Sequence, residues 1–224
     1  MKDNKVVKAG RELPLEESVE AFIDAFVTSG ALSAIPVTGT VLGVFKAFRT
    51  YKSEKLKAKL KEFLNETSSL QRDEIGTFLL ENKKDEDPLL VEHLLELVEQ
   101  AESTQKAMII GVLFRRLVRG KITRGQFTDQ VRFTNQIFII DLFHFMHGYH
   151  NQAILQDGLG DILTNHRVCK RTMKIAYMDK NFLSQEKVQY IDVSYELTEV
   201  GKVFLRSLHE AYKDRINPER QLVD

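Results

Sequence analysis

Cysteine is almost missing from this 224-residue chain: Cys169 stands alone. One cysteine excludes an intrachain disulfide framework and any zinc site built on several thiolates, and it fits a reducing compartment. Tryptophan is absent, and there are only four prolines. Net charge is missing too, since 32 Lys and Arg balance 32 Asp and Glu. A chain-wide cationic surface for nucleic acid is therefore not indicated, although local patches are compatible with neutrality. With 43% hydrophobic and 29% charged residues, the composition is that of a globular chain and not a disordered one. The motifs of common enzymes are also lacking. No glycine-rich phosphate loop, Gly-x-Ser-x-Gly elbow or His-Glu-x-x-His pair occurs. The sequence is therefore read as non-enzymatic, with no cofactor, metal or small-molecule substrate.

The N-terminus has lysines at 2, 5 and 8 but no apolar run behind them, and Arg11, Glu12, Glu16, Glu17 and Glu20 follow. That is not a secretory signal, so a cytoplasmic resting location is expected. The first unusual feature is Ala25–Phe45, which carries no charge. Its length matches the ~20 residues that cross a bilayer as a helix. Its content differs from an ordinary span. Pro36 interrupts it, Thr28, Ser29, Ser33, Thr38 and Thr40 are polar, and Gly30, Gly39 and Gly43 are weak helix formers.

Two readings follow. In one, two helices meet at Ile35-Pro36-Val37-Thr38-Gly39 and bury each other in a soluble core. In the other, the hairpin is packed away at rest and enters a membrane on activation. Gly30 and Ala34, then Gly39, Gly43 and Ala47, recur at four-residue spacing, which permits close helix approach. Beyond Phe45, the cations Lys46, Arg49, Lys52, Lys55, Lys57, Lys59 and Lys61 face only Glu54 before Glu62. Such a flank is drawn to anionic head groups by ~1 kcal/mol per cation.

From residue 52 to about 150 the apolar period is helical. Leu56, Leu60, Phe63 and Leu64 mark one helix. Ser68 with Gln71 predicts a capping box for a second, ending near Glu81. Pro88 suits the first position of a third, carrying Leu90, Leu94 and Val98. A fourth runs over 104–119 and stops at Gly120. Thr123 and Gln126 predict a second capping box. The pattern from Phe127 to Met146 predicts one long, central, most buried helix. Arg115, Arg116, Arg119, Lys121 and Arg124 gather at the intervening turn, either as helix C-terminal cations or as an anion-binding patch. Asp141, His144, His147 and His150 recur at intervals of three, but the set drifts around a helix and cannot converge on one ion.

After Asn151 the period changes. Met173–Met178 and Val188–Tyr195 read as strands, and Thr198 as the N-cap of a last helix with Val200, Phe204, Leu205 and Leu208 inward. The predicted fold class is mainly α: a helical bundle with a small C-terminal β-hairpin. The predicted organisation is a hydrophobic hairpin over 1–50, a helical body over 51–150 and a C-terminal module over 151–224.

The stretch Tyr195-Glu196-Leu197-Thr198-Glu199-Val200-Gly201-Lys202, with the hairpin before it, resembles the end of a winged-helix module. That resemblance implies a groove-reading helix near 161–171, with Asn165, His166, Arg167, Lys170 and Arg171 as contacts. Winged helices also dock proteins, so the DNA-binding regulator stands as the alternative function. In its order of features the whole chain resembles small bacterial and prophage-type phage-defence proteins. These features are the Ile35–Gly39 turn, the Lys-rich helix with Leu60 and Phe63-Leu64, the Leu113–Thr123 helix–turn–cap and the Tyr195–Thr198 tail. The resemblance implies an abortive-infection effector. A phage protein assembly would trigger it, copies would self-associate, and hairpins led by Gly30, Ala34, Ile35, Pro36, Gly39, Gly43 and Phe45 would disrupt the inner membrane. Lys46, Arg49, Lys52 and Lys55 would remain with the lipid head groups.

Overall fold

The computed structural model describes residues 54–81, 90–179 and 187–222. The Ala25–Phe45 segment, with Lys46, Arg49, Lys52 and Pro88, lies outside them. Within them the fold is mainly helical with one small antiparallel hairpin, as the periodicity predicts. Helix α1 (Glu54–Thr67), α2 (Arg72–Glu81), α3 (Leu90–Gln100), α4 (Thr104–Val118), α5 (Arg124–Gln136) and α6 (Ile139–Gly148) make up the body. A short helical piece, Gln152–Ile154, and a kinked turn, Leu155–Leu159, lead to α7 (Gly160–Asn165). Strands β1 (Cys169–Asp179) and β2 (Lys187–Leu197) follow, then α8 (Glu199–Ala211).

The most buried helix is α4, not the aromatic-rich stretch after it. Ten residues of α4 are buried, including Ile109, Ile110, Leu113 and Phe114. Phe114 collects the rings of Phe63, Phe78 and Phe127 at centroid distances of 6.1–6.4 Å, so α1, α2 and α5 converge on it. At Gly111 an added Cβ would lie 2.9 Å from the Phe63 carbonyl oxygen, so α1 and α4 approach closely there. A second aromatic focus, Phe204 with Phe133 and Phe145, seats α8 between α5 and α6. One apolar core runs without interruption from Leu60 to Ile216.

The long helix expected over 124–146 is two helices. Ile137 and Phe138 are extended (ψ 136° and 144°), which ends α5 and starts α6. The apolar side chains of that stretch lie on more than one face, so one straight helix would leave some of them in water. The break turns Leu142, Phe145 and Met146 into the core and leaves only Phe138 and Ile140 in solvent.

Caps follow the sequence unevenly. The Thr123–Gln126 box forms in both directions. The Ser68–Gln71 box does not: Ser68 donates to the Asn65 carbonyl, and the Gln71 amide donates instead to Glu74, whose carboxyl is held below its ordinary range mainly by that bond. Gly120 (φ +65°) closes α4 in the left-handed conformation that suits glycine. In α8, Val200 is exposed and Gly201 takes the inward position. Replacing Thr123 by Ala should lower stability by about 1 kcal/mol, read as a shift of the urea midpoint at constant m-value. An unchanged midpoint would mean that the α4–α5 turn does not depend on its cap.

Candidate functional site

The cationic cluster at the α4–α5 turn is largely internally neutralised. Arg115 donates to the Glu66 carbonyl at 2.7 Å and carboxylate at 2.8 Å, and reaches Glu210 at 3.2 Å. Arg116, almost fully buried, donates to the other oxygen of Glu210. Arg119 reaches Glu74 and the Ser69 carbonyl. These guanidiniums clamp α1, α2 and α8 onto α4. In the lysine flank, Lys59 donates to the Glu99 and Ala101 carbonyls and so caps the C-terminus of α3, while Lys55 is exposed.

The histidines do not converge. His144, His147 and His150 are exposed, and among the described residues no group of three metal-ligating side chains comes together. His147 and His150 border a cleft of about 580 Å³ together with His209. His209 is buried: its Nδ1 accepts from the Leu222 amide at 3.0 Å, and its Nε2–H donates to the Met146 carbonyl at 3.1 Å. That pair of bonds requires the neutral ring, and burial lowers its pKa. Burial, then Arg132, lowers His166 as well. The unfolded chain therefore binds more protons than the folded one just below pH 6.5. Stability should be complete above that pH and fall as pH drops through the two lowered folded values. The urea midpoint should be lower at pH 5.5 than at pH 7.5, and His209→Gln should flatten part of the difference. An equal midpoint at both pH values would contradict the assignment.

The hairpin stands apart from this closed interior. Its eleven-residue strands pair from Cys169–Leu197 to Asp179–Lys187. Only the base is embedded. The Tyr195 ring lies over Gly160, its hydroxyl donates to Asp161 at 2.9 Å, and Arg171 reaches the same carboxylate at 3.1 Å. The outer edge of β2 is capped at its base by side chains. Gln152 exchanges two hydrogen bonds with the Tyr195 backbone, and Gln156 donates to the Val193 carbonyl. Cys169 is buried there with its thiol pushed up to about 11 by desolvation, so it stays protonated.

Beyond the base, alternation sorts the side chains into two faces. One carries Met173, Ile175, Tyr177, Ile191 and Val193, with Ile175 directly opposite Ile191. Met173, Ile175, Tyr177 and Ile191 are 61–68% exposed. The other face has Lys170 opposite Glu196 and Lys174 opposite Asp192, turning apolar only toward Met178, Val188 and Tyr190. A contiguous apolar face in solvent is a recognition feature and not a packing one. The alternating Val188–Tyr195 run signalled the strand, but nothing in it shows that both faces lie in water.

The groove-contact residues fall differently from the winged-helix expectation. Arg167 sits in the turn after α7 with φ +59°, an unusual conformation for a side chain of its size, its carbonyl accepting from Thr198. Lys170 and Arg171 are on β1, and α7 has only six residues. The three are neighbours at the ribbon base but do not share a helix face. Arg167→Gly should raise stability by about 1 kcal/mol by removing the left-handed strain; a loss of stability would mean that the side chain contributes more than its backbone costs.

Among the described residues, no helix is long and apolar enough to cross a membrane. Comparison with known proteins gives no match to any family model, curated protein or solved structure.

Proposed function

We propose that this protein is a non-enzymatic effector of phage defence that brings a membrane-disrupting N-terminal segment to its target through the exposed ribbon. The observation that supports this most is the contiguous apolar face of Met173, Ile175, Tyr177 and Ile191, each 61–68% exposed on a ribbon that stands out from the packed core. Such a face offers contact area to a macromolecule and no convergent polar groups for a small substrate. The phage assembly that acts as trigger docks there. Clustering then brings together several Ala25–Phe45 segments, whose small residues at 30, 34, 39 and 43 allow close packing in the bilayer. Resting protein is cytoplasmic, and activated protein is at the inner membrane.

The test is dye release from anionic vesicles by the full chain, clustered artificially through an epitope tag. Wild type should release dye. Gly39→Leu and Gly43→Leu should release little while remaining folded by circular dichroism, because a bulky side chain blocks the seam. Ile175→Lys with Ile191→Lys should retain release under forced clustering yet lose protection of cells against phage. Intact vesicles with clustered wild type would defeat the membrane reading.

A DNA-binding regulator remains the second reading, resting on Arg167, Lys170 and Arg171 at the ribbon base. Their joint replacement by Ala would then lower the salt dependence of duplex binding by about one unit per lost phosphate contact. Salt-insensitive or absent binding by wild type would remove it.

A further inference from the structure

The hydrogen bonds from Gln152 and Gln156 show which way the β2 backbone points. Tyr195 and Val193 turn their amide and carbonyl groups away from β1, so residues 187, 189 and 191 do the same. By the ladder register, the outward groups of β1 are those of Arg171, Met173, Ile175, Tyr177 and Asp179. None of the backbone groups from Met173 to Tyr177 finds a partner outside the ladder among the described residues. Among the described residues the β2 edge is blocked at Val193 and Tyr195, whereas the β1 edge is open; β1 itself is regular and free of proline and glycine. Open edges of this kind pair with other strands unless they are blunted.

We infer that the β1 edge pairs antiparallel with the β1 edge of a second copy of this chain, with the two-fold axis at Ile175, giving a four-stranded sheet in the order β2–β1–β1–β2. The register follows from self-complementarity. Outward residues must face outward residues, so the axis falls on or between the odd-numbered positions. With the axis at Ile175, Arg171 lies opposite the other copy's Asp179, Met173 opposite its Tyr177, and Ile175 opposite itself. An axis at Met173 would leave Arg171 against an isoleucine, and one at Tyr177 would do the same to Asp179. Only the Ile175 axis pairs both charges, twice over, and sets all three apolar residues against apolar partners. Lys174, on the opposite face, then meets Ala176 and no like charge. The Arg171–Asp161 contact at the base is between exposed groups, so exchanging it for Asp179 of the second copy costs little.

The pairing leaves the apolar faces of the two ribbons coplanar and free, so a dimer presents the trigger surface twice with two-fold symmetry. It does not depend on membrane activity and is read in buffer without lipid. Sedimentation of the full chain should give twice the monomer mass. Ile175→Cys should form a covalent dimer under mild oxidation, because hydrogen-bonded partners lie at ~5.5 Å between Cα atoms, within disulfide reach. Ile191→Cys, on the same face but one strand farther from the axis, should not. Arg171→Asp and Asp179→Arg should each weaken the dimer about tenfold, and the two together should restore it, which a folding defect would not do. A monomeric wild type would overturn the inference, as would cross-linking through Ile191→Cys in preference to Ile175→Cys. Wild type that stays monomeric and binds vesicles through Ile175 would assign the surface to lipid instead and equally overturn it.

Discussion

Glu210→Ala is expected to cost about 3 kcal/mol, a large effect for a carboxylate near the surface. Glu210 lies on α8 and receives both Arg115 and Arg116 from α4. Arg115 keeps Glu66 when Glu210 is lost. Arg116 is different, because it is only 2% exposed and its ion pair to Glu210 is made inside the protein. Removing the carboxylate takes from a buried guanidinium the ion pair it makes to Glu210, and the desolvation cost that the pair offset then dominates. The same logic predicts the control. Arg116→Met combined with Glu210→Met should recover most of the loss, since a buried ion pair is worth little against apolar packing of similar volume. Urea melts of the two variants separate the cases. A loss below 1 kcal/mol from Glu210→Ala would show that the clamp between α4 and α8 is redundant.

Gly201→Ala should cost about 2 kcal/mol net, even though alanine is the better helix former. A Cβ at position 201 would lie 2.1 Å from the Val168 carbonyl oxygen, a backbone atom that also accepts from the Thr198 amide and hydroxyl. Helix propensity favours alanine by about 1 kcal/mol, while overpacking against fixed backbone costs about 3. The clash wins because that carbonyl is held by the N-cap of α8 and cannot retreat alone. Since Val168 leads directly into β1, the substitution should also raise amide exchange at the ribbon base more than in α4. Uniform exchange changes across both would contradict the idea that this junction fixes the ribbon.

These two sites show what the sequence disclosed and what it hid. Periodicity located the four helices from Glu54 to Val118, and Thr123 and Thr198 were legible as N-caps because a threonine directly ahead of a helical apolar period satisfies an otherwise orphaned amide; the same signature at Ser68 misled, because the Gln71 amide found Glu74 instead. The split at Ile137 was not legible: a run apolar on several faces looks the same whether one helix is buried all round or two short ones turn different faces inward. The roles of Arg115 and Arg116 were undetermined because Glu66 and Glu210 lie far away in sequence, and only tertiary contact pairs them. The close approach at Gly201 was not legible, since backbone contact of this kind leaves no mark in one sequence. The hairpin strands were legible from alternation at Val188–Tyr195. Their exposure was not, because burial of a strand face depends on what packs against it. The contacts expected on a reading helix from Arg167 to Arg171 moved for a related reason: β1 begins at Cys169, two residues after the turn, and takes Lys170 and Arg171 with it.

The central claim is that the chain acts on membranes through its uncharged N-terminal segment, and the membrane potential of cells during induced expression tests it most directly. The account predicts that the full chain collapses the potential under forced clustering or phage challenge, and that a chain lacking residues 25–45 accumulates in folded form and leaves the potential intact. A potential that holds with clustered full-length protein, or that collapses equally without residues 25–45, would contradict it.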